Sequence, residues 1–136
     1  MALAALAALA AKDARAEEPP KLTAAMQCDR AVEPGRVKCS VETKPTGDRS
    51  IMWADVALVE LPEFTAALKG RIGPGDAVVR DATHQKWAFG LVARKAGSGE
   101  ARARVRAVVC EPAAADGGAP KCAPATIDVR AVVHVG

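Results

Sequence analysis

The chain has 136 residues, of which 50% are hydrophobic and 26% charged, and its formal net charge is +3. This length excludes a large multidomain protein, and the apolar fraction excludes a disordered chain. With two Trp, two Phe and no Tyr, the chain has neither a strong phosphate footprint nor a base-stacking platform, so nucleic-acid binding is not expected.

Residues 1–16 predict an export signal. Ala2 to Ala11 form an unbroken run of Ala and Leu, and the small-x-small tripeptide Ala14-Arg15-Ala16 follows. An apolar stretch of about 7–15 residues before such a tripeptide is typical of secretory signals and is too short to span a bilayer. No Lys or Arg precedes the run, which leaves open that Met1 lies inside a longer signal, and an Ala-rich helix is the alternative.

The rest of the chain is expected to be a linker at residues 17–21 and a single domain at residues 22–136. No later segment approaches about 18 apolar residues, so no stable membrane span is expected in the mature chain. The chain contains no Asn and no Tyr, a usage that indicates a GC-rich bacterial genome and excludes N-glycosylation sequons.

From Leu22 onward the dominant sequence period is two, which is typical of β-strands. The runs Leu22–Cys28 and Val37–Val41 flank Glu33-Pro34-Gly35-Arg36, a type II turn signal, and so predict a hairpin. Ile51–Leu61 is apolar on both faces, which suits a central strand with Asp55 at a bulge or an edge.

The segment at residues 62–69 predicts either a short helix or a packed loop, because Phe64 and Leu68 stand four apart after Pro62. Gly73-Pro74-Gly75 then predicts a turn, and Asp76–Arg80 a short strand.

The last fifty residues contain three segments whose odd-numbered residues are apolar. A turn centred on residue 98 pairs Trp87 with Val109, and a turn centred on residue 116 pairs Val105 with Ile127. Both registers keep odd-numbered side chains on one face, whereas a slip of one residue would invert every side chain.

About seven strands separated by Gly and Pro turns predict an all-β fold, namely an antiparallel β-sandwich of the immunoglobulin-like kind, with a small barrel as the alternative. In a core built mainly from Ala and Val, Trp53, Trp87 and Phe89 are the predicted anchors, because aromatic side chains bury the largest areas.

Four cysteines allow three pairings. The register of the last hairpin places Cys110 opposite Cys122, and Cys28 and Cys39 flank the first turn, so two local disulfides are expected. Each would close a loop of about a dozen residues, worth about 2–3 kcal/mol in the chain-entropy model. The alternative is an immunoglobulin-type bridge between Cys39 and Cys110, favoured by the position of Trp53 after Cys39 but opposed by the arginines that share the face of Cys110.

The last hairpin, with Val108-Val109-Cys110 and Pro120-Lys121-Cys122-Ala123-Pro124, is similar to the two-cysteine hairpin in the N-terminal immunoglobulin-like domain of the bacterial transmembrane disulfide reductase. The resemblance covers about thirty residues and implies a redox role for Cys110 and Cys122 alone. This chain lacks that family's aromatic cap residues, and the spacing of its two cysteines differs.

Arg102, Arg104 and Arg106 project from one face of a strand and form a possible anion-binding stripe, for which a solvated sheet face is the alternative. By register, Arg104 faces Asp128 and Arg102 faces Arg130. His84 and His134 share no spacing with other ligands that predicts a metal site. No cofactor is expected, because the chain carries no phosphate-binding or dinucleotide-binding motif.

The sequence contains no Gly-x-Ser-x-Gly or His-Glu-x-x-His motif, so it predicts no particular enzymatic reaction. It favours an exported bacterial β-sandwich module in the periplasm or outside the cell, with a non-catalytic binding or structural role toward a protein or an envelope surface. The alternative is a periplasmic thiol–disulfide accessory protein that uses the Cys110/Cys122 hairpin.

Overall fold

A computed structural model describes residues 20–136, and the predicted export signal lies outside these residues. The all-β fold class is confirmed, because two antiparallel sheets pack as a sandwich, although residues 20–136 form nine strands rather than about seven. The strands are β1 (Leu22–Cys28), β2 (Gly35–Pro45), β3 (Ser50–Glu60), β4 (Thr65–Ala67), β5 (Arg71–Ile72), β6 (Ala77–Asp81), β7 (His84–Ala93), β8 (Gly97–Cys110) and β9 (Cys122–Val135).

The first sheet, sheet A, has the strand order β1-β2-β7-β4, with β6 also paired to β7, and the second, sheet B, has the order β5-β3-β8-β9. The alternation of apolar and polar residues turns one face of each sheet toward a shared core. Trp87 and Leu91 of sheet A and Val56, Val105 and Val133 of sheet B are fully buried there. The finer assignment to an immunoglobulin-like fold stays a prediction.

Two of the predicted hairpins form, and the last of them has the expected register. β1 pairs with β2 so that Cys28 lies opposite Cys39. β8 pairs with β9 so that Val105 lies opposite Ile127 and Cys110 opposite Cys122.

The predicted hairpin between Trp87 and Val109 is wrong, because β7 and β8 belong to different sheets. Trp87 lies opposite Val41 of β2, and Val109 lies opposite Ile51 of β3. The odd-numbered residues of β7 and β8 nevertheless point into the core as expected. Both sheets turn their inner faces toward one core. Odd-numbered side chains therefore point inward whether the two strands pair within one sheet or lie in different sheets on opposite sides of the core.

Gly97 and Gly99 do not form a turn but begin β8, where another segment lies close to the backbone. A Cβ atom on Gly97 would lie 3.0 Å from the Phe64 ring, and one on Gly99 would lie 2.9 Å from Cβ of Pro62. The absent side chains therefore allow the segment that contains Pro62 and Phe64 to pack against the start of β8.

The possible helix at residues 62–69 is not present. A single turn forms, in which both the N–H and the hydroxyl of Thr65 donate to the carbonyl of Pro62, and the chain then enters β4. β4 pairs with the end of β7, with Phe64 buried and Leu68 52% exposed. The edge of β7 offers the backbone of this segment a partner, and pairing there separates the two apolar side chains that a helix would place on one face.

Trp53 lies on the outer face of sheet B and is 38% exposed, so it is not the core anchor that the sequence predicts. A bulge between Ile51 and Trp53 adds one residue to β3 and reverses the phase of its side chains, so that Ile51 and Ala54 both point inward. Trp87 is fully buried, and Phe89 packs partly buried against the core.

We expect the substitution Gly99→Ala to lower the free energy of unfolding by about 1–3 kcal/mol, because the new methyl group would overlap the rigid ring of Pro62. Gly75→Ala is the matched control, since a Cβ atom there meets no atom within 4 Å. Urea unfolding of both variants measures the difference, and equal midpoints would contradict the close contact between Pro62 and β8.

Candidate functional site

Two cross-strand disulfides join the strands of the first and last hairpins. Cys28 is bonded to Cys39 and Cys110 to Cys122, as predicted, so the alternative bridge between Cys39 and Cys110 does not form. All four cysteines of the chain are used, and no free thiol remains. Structural disulfides of this kind are typical of proteins in oxidising compartments.

The two disulfides lie on opposite sides of their sheets. Cys39 points into the core beside Val37 and Val41, and its partner Cys28 is half-buried. Cys110 follows the even-numbered phase of β8 on the outer face and is itself buried, whereas Cys122 on the edge strand β9 is exposed. The second disulfide therefore presents one cysteine to solvent and keeps the other covered.

The arginine stripe formed by Arg102, Arg104 and Arg106 lies on the outer face of sheet B, and each guanidinium group faces a carboxylate. The shortest N–O distances are 3.6 Å from Arg102 to Glu60, 2.8 Å from Arg104 to Asp128 and 2.5 Å from Arg106 to Asp55. The next arginine on this face, Arg130, lies 3.6 Å from Glu100. These pairs neutralise the face locally, and its use as an anion site stays a prediction.

Hydrogen bonds on this face shift the pKa values of Arg104, Arg106 and Asp128. The hydrogen bond from Arg104 lowers the pKa of Asp128, and the charges of Arg104, Arg102 and Arg130 act in the same direction. The same bond raises the pKa of Arg104, and the bond to Asp55 raises the pKa of Arg106. Both arginines are thus held in the charged form and committed to their partners.

The pair between Asp55 and Arg106 is the most buried ion pair on this face. Asp55 is only 3% exposed and accepts two parallel hydrogen bonds from the half-exposed Arg106, whose guanidinium carbon also lies 5.8 Å from the centre of the Trp53 ring. The sequence predicts a bulge or an edge at Asp55, but the bulges of β3 lie between Ile51 and Trp53 and between Leu58 and Glu60. Asp55 instead neutralises the charge of Arg106 on the neighbouring strand β8.

Sequence reasoning missed a second charged surface, on the outer face of sheet A. Arg36 and Lys38 of β2 and Lys86 of β7 point outward there, and no carboxylate of residues 20–136 lies within 4.0 Å of them. The alternation of Arg36 and Lys38 with buried residues is visible in the sequence. The sequence does not reveal which strand lies beside β2, and the identity of that strand determines whether these cations form ion pairs with carboxylates.

The two histidines lie at separate places on the surface. His84 Nε2 lies 3.1 Å from Oε1 of Glu42 but outside hydrogen-bonding geometry, and His134 contacts Arg30. Burial raises the pKa of Glu42, but the hydrogen bond from Lys44 and the charges of His84, Lys44 and Lys86 outweigh it, so that this pKa lies below its usual value.

Within residues 20–136, no group of three or more His, Cys, Asp or Glu side chains is placed to hold a metal ion. The same part of the chain contains no helix long and apolar enough to cross a membrane.

Comparison with known proteins gives a likeness of fold at most. No protein-family model and no curated protein matches the chain. Among solved structures, the VesB protease of Vibrio cholerae aligns with a TM-score of 0.43 and 11% identity over 82% of this chain, which spans only 31% of the protease chain. BslA, a bacterial hydrophobin, aligns with a TM-score of 0.38 and 9% identity over 88% of this chain and 97% of its own.

We expect Arg106→Ala to destabilise the protein more than Arg104→Ala, although both remove one arginine from the same strand. The first leaves the buried Asp55 carboxylate without a partner, a loss of about 3 kcal/mol for a buried charge, whereas the second leaves Asp128, which water already reaches, solvated. Guanidinium unfolding of the two variants measures the difference. Equal losses would show that the burial of Asp55 contributes nothing beyond a surface ion pair.

Proposed function

We propose that the chain is an exported bacterial β-sandwich module that acts without catalysis, by binding a partner in the periplasm or outside the cell. The observation that carries this proposal is the use of every cysteine in two hairpin disulfides. In a reducing cytosol such bonds would be absent, and the chain would lose their constraint on its unfolded state.

A non-catalytic role is supported by the chemistry of the described surface. The acidic groups of the arginine stripe are occupied by ion pairs, and Glu42 is held by Lys44 and lies against His84. Catalytic sites, by contrast, bring titratable groups together in a cleft, where they stay free to act on a substrate. The two outer sheet faces differ in charge, and it is this surface chemistry, not the fold, that supports a binding role.

The compartment is tested by producing the full chain, including residues 1–16, in a bacterium with an oxidising periplasm. We expect it in the periplasmic fraction or the medium, with a mass that corresponds to cleavage after Ala16 and with no alkylatable thiol. In the matched variant Ala14→Leu/Ala16→Leu, the apolar run is intact but the small residues of the cleavage site are lost, so the uncleaved mass should accumulate. A full-length cytosolic product with four free thiols would contradict the proposal.

A second candidate function, that of a thiol–disulfide accessory protein, is favoured by the exposure of Cys122. A thiolate of a partner dithiol could attack the Cys122 sulfur, releasing the Cys110 thiolate and forming a mixed disulfide. The partner's second thiolate would then attack its own sulfur in that bond and release the Cys122 thiolate, so that the partner is oxidised to a disulfide as Cys110–Cys122 is reduced.

Redox titration of the native protein separates the two functions. Mass spectrometry after alkylation reports each disulfide separately, so that Cys28–Cys39 serves as the internal control. A structural Cys110–Cys122 bond should remain oxidised until the potential of the redox buffer falls below about −300 mV. A functional pair should already be reduced near about −200 mV or above. Opening of Cys110–Cys122 alone in the higher range would replace the binding role by the redox role.

A further inference from the structure

The outer face of sheet A carries three cations that form no ion pair with a carboxylate of residues 20–136, although Glu42 lies opposite Lys86 across β2 and β7 and feels its charge. Arg36, Lys38 and Lys86 have no carboxylate of residues 20–136 within 4.0 Å, whereas every arginine of the stripe on sheet B has one. Two acidic side chains lie nearby. Glu42 is engaged by Lys44 and His84, and Asp29 borders the same region without an ion pair to Lys38.

A depression runs between these cations because the sheet has small side chains there. Across β2 and β7, Ser40 lies opposite Ala88 and Lys38 opposite Gly90. A hollow of about 380 Å³ is lined by residues that include Arg36, Lys38, Leu68, Ala88 and Gly90. It adjoins a second hollow of about 320 Å³, which shares Lys38 and Ala88 and reaches Lys86.

Gly90 shapes the wall of the first hollow. A Cβ atom at this position would lie 2.8 Å from Cδ1 of Leu68 and 3.7 Å from Nε of Arg36, so the absent side chain lets both residues approach the sheet. Leu68 remains 52% exposed. An apolar side chain and a guanidinium group thus stand together over Gly90, which suits a ligand that carries both an anion and an apolar group.

The backbone around the depression cannot hold a small anion. β2 is paired on both sides, to β1 and β7, and β7 is paired on both sides, to β2 and to β4 and β6. Their N–H groups are therefore used within the sheet and do not form the cradle with which loops bind phosphate. Affinity must come from flexible side chains, each of which contributes little on an exposed surface. A ligand with several spaced charges is favoured over a single ion.

The spacing of the cations matches an extended peptide. Arg36 and Lys38 are two residues apart on β2 and point to the same side, so their stems stand about 7 Å apart. Alternate side chains of an extended peptide have the same spacing. The depression is open, and Leu68 is the one exposed leucine beside it. A single leucine offers little apolar surface to a lipid acyl chain, so the face suits a peptide better than a lipid.

We propose that the outer face of sheet A binds an acidic peptide segment in an extended conformation, with carboxylates at Arg36 and Lys38 and an apolar side chain against Leu68. The inference rests on the proposed binding function and names the chemistry of the partner. Lys86 extends the positive surface toward the second hollow for a further carboxylate.

The test uses the oxidised full chain and a labelled peptide of alternating Ser and Glu, with one Leu in the Glu series, and measures binding by fluorescence anisotropy. The double variant Arg36→Gln/Lys38→Gln should weaken binding about tenfold, since each exposed ion pair contributes a factor of a few. The control Arg102→Gln/Arg104→Gln removes the same charge from sheet B and should leave the affinity within about twofold.

Two further measurements test the nature of the contact. Leu68→Ser should weaken binding about threefold, since it removes part of a half-exposed apolar contact. Replacing every Glu of the peptide by Gln should abolish binding, and raising the salt from about 50 mM to about 300 mM should weaken it, because exposed ion pairs are screened.

The proposal is overturned if the peptide does not bind at concentrations up to about 1 mM, or if the sheet B control weakens binding as much as the sheet A variant. Inorganic phosphate or phosphatidylglycerol vesicles that bind more tightly than the peptide, with the same dependence on Arg36 and Lys38, would also overturn it by naming another ligand. These outcomes leave the thiol count and the cellular location unchanged, so failure of this inference is distinguishable from failure of the proposed function.

Discussion

The whole structure depends on one constraint, namely that the two sheets must pack closely enough to exclude water although much of the inner face of sheet B is alanine. Ala101, Ala103 and Ala107 of β8 are buried on the inner face of sheet B. Small side chains bury less apolar area per residue than large ones, so such a core contributes less free energy. The two disulfides compensate by reducing the entropy of the unfolded chain. Such structural disulfides fit an oxidising environment.

The two outer faces solve the problem of surface charge differently. On sheet B, long-range pairing of β3 with β8 brings Asp55 and Glu60 to the arginine stripe, and the face neutralises itself. On sheet A, the cations of β2 lie beside Ala88 and Gly90 of β7, where no acid is present. A charge without an internal partner costs nothing while water solvates it, and it stays available for an external partner.

Local patterns predicted the register of the last hairpin residue by residue, and with it the pairing of Cys110 with Cys122 and of Arg104 with Asp128. They failed where distant segments decide the outcome. The assignment of β7 to sheet A, the carboxylate partner of Arg106 and the strand at Thr65–Ala67 all depend on neighbours far along the chain. Trp53 was misplaced because one inserted residue reverses the phase of a strand without any mark in its composition. The sequence shows the positive charges of sheet A directly. It does not show that they lack ion-pair partners, because that depends on which distant strand lies beside β2.

The disulfide between Cys110 and Cys122 closes the base of the loop at residues 111–121, where the N–H of Glu111 also donates to the carbonyl of Lys121. Beyond this clamp the loop is solvent-exposed and turns at Gly117, which has a φ of 81°. The disulfide fixes the distance between the two ends of the loop, so a longer or altered loop would not change the pairing of β8 with β9. Changes at the tip of the loop should therefore leave the sandwich unaltered, and the tip can diverge in sequence or accept an inserted segment while the rest of the fold is preserved.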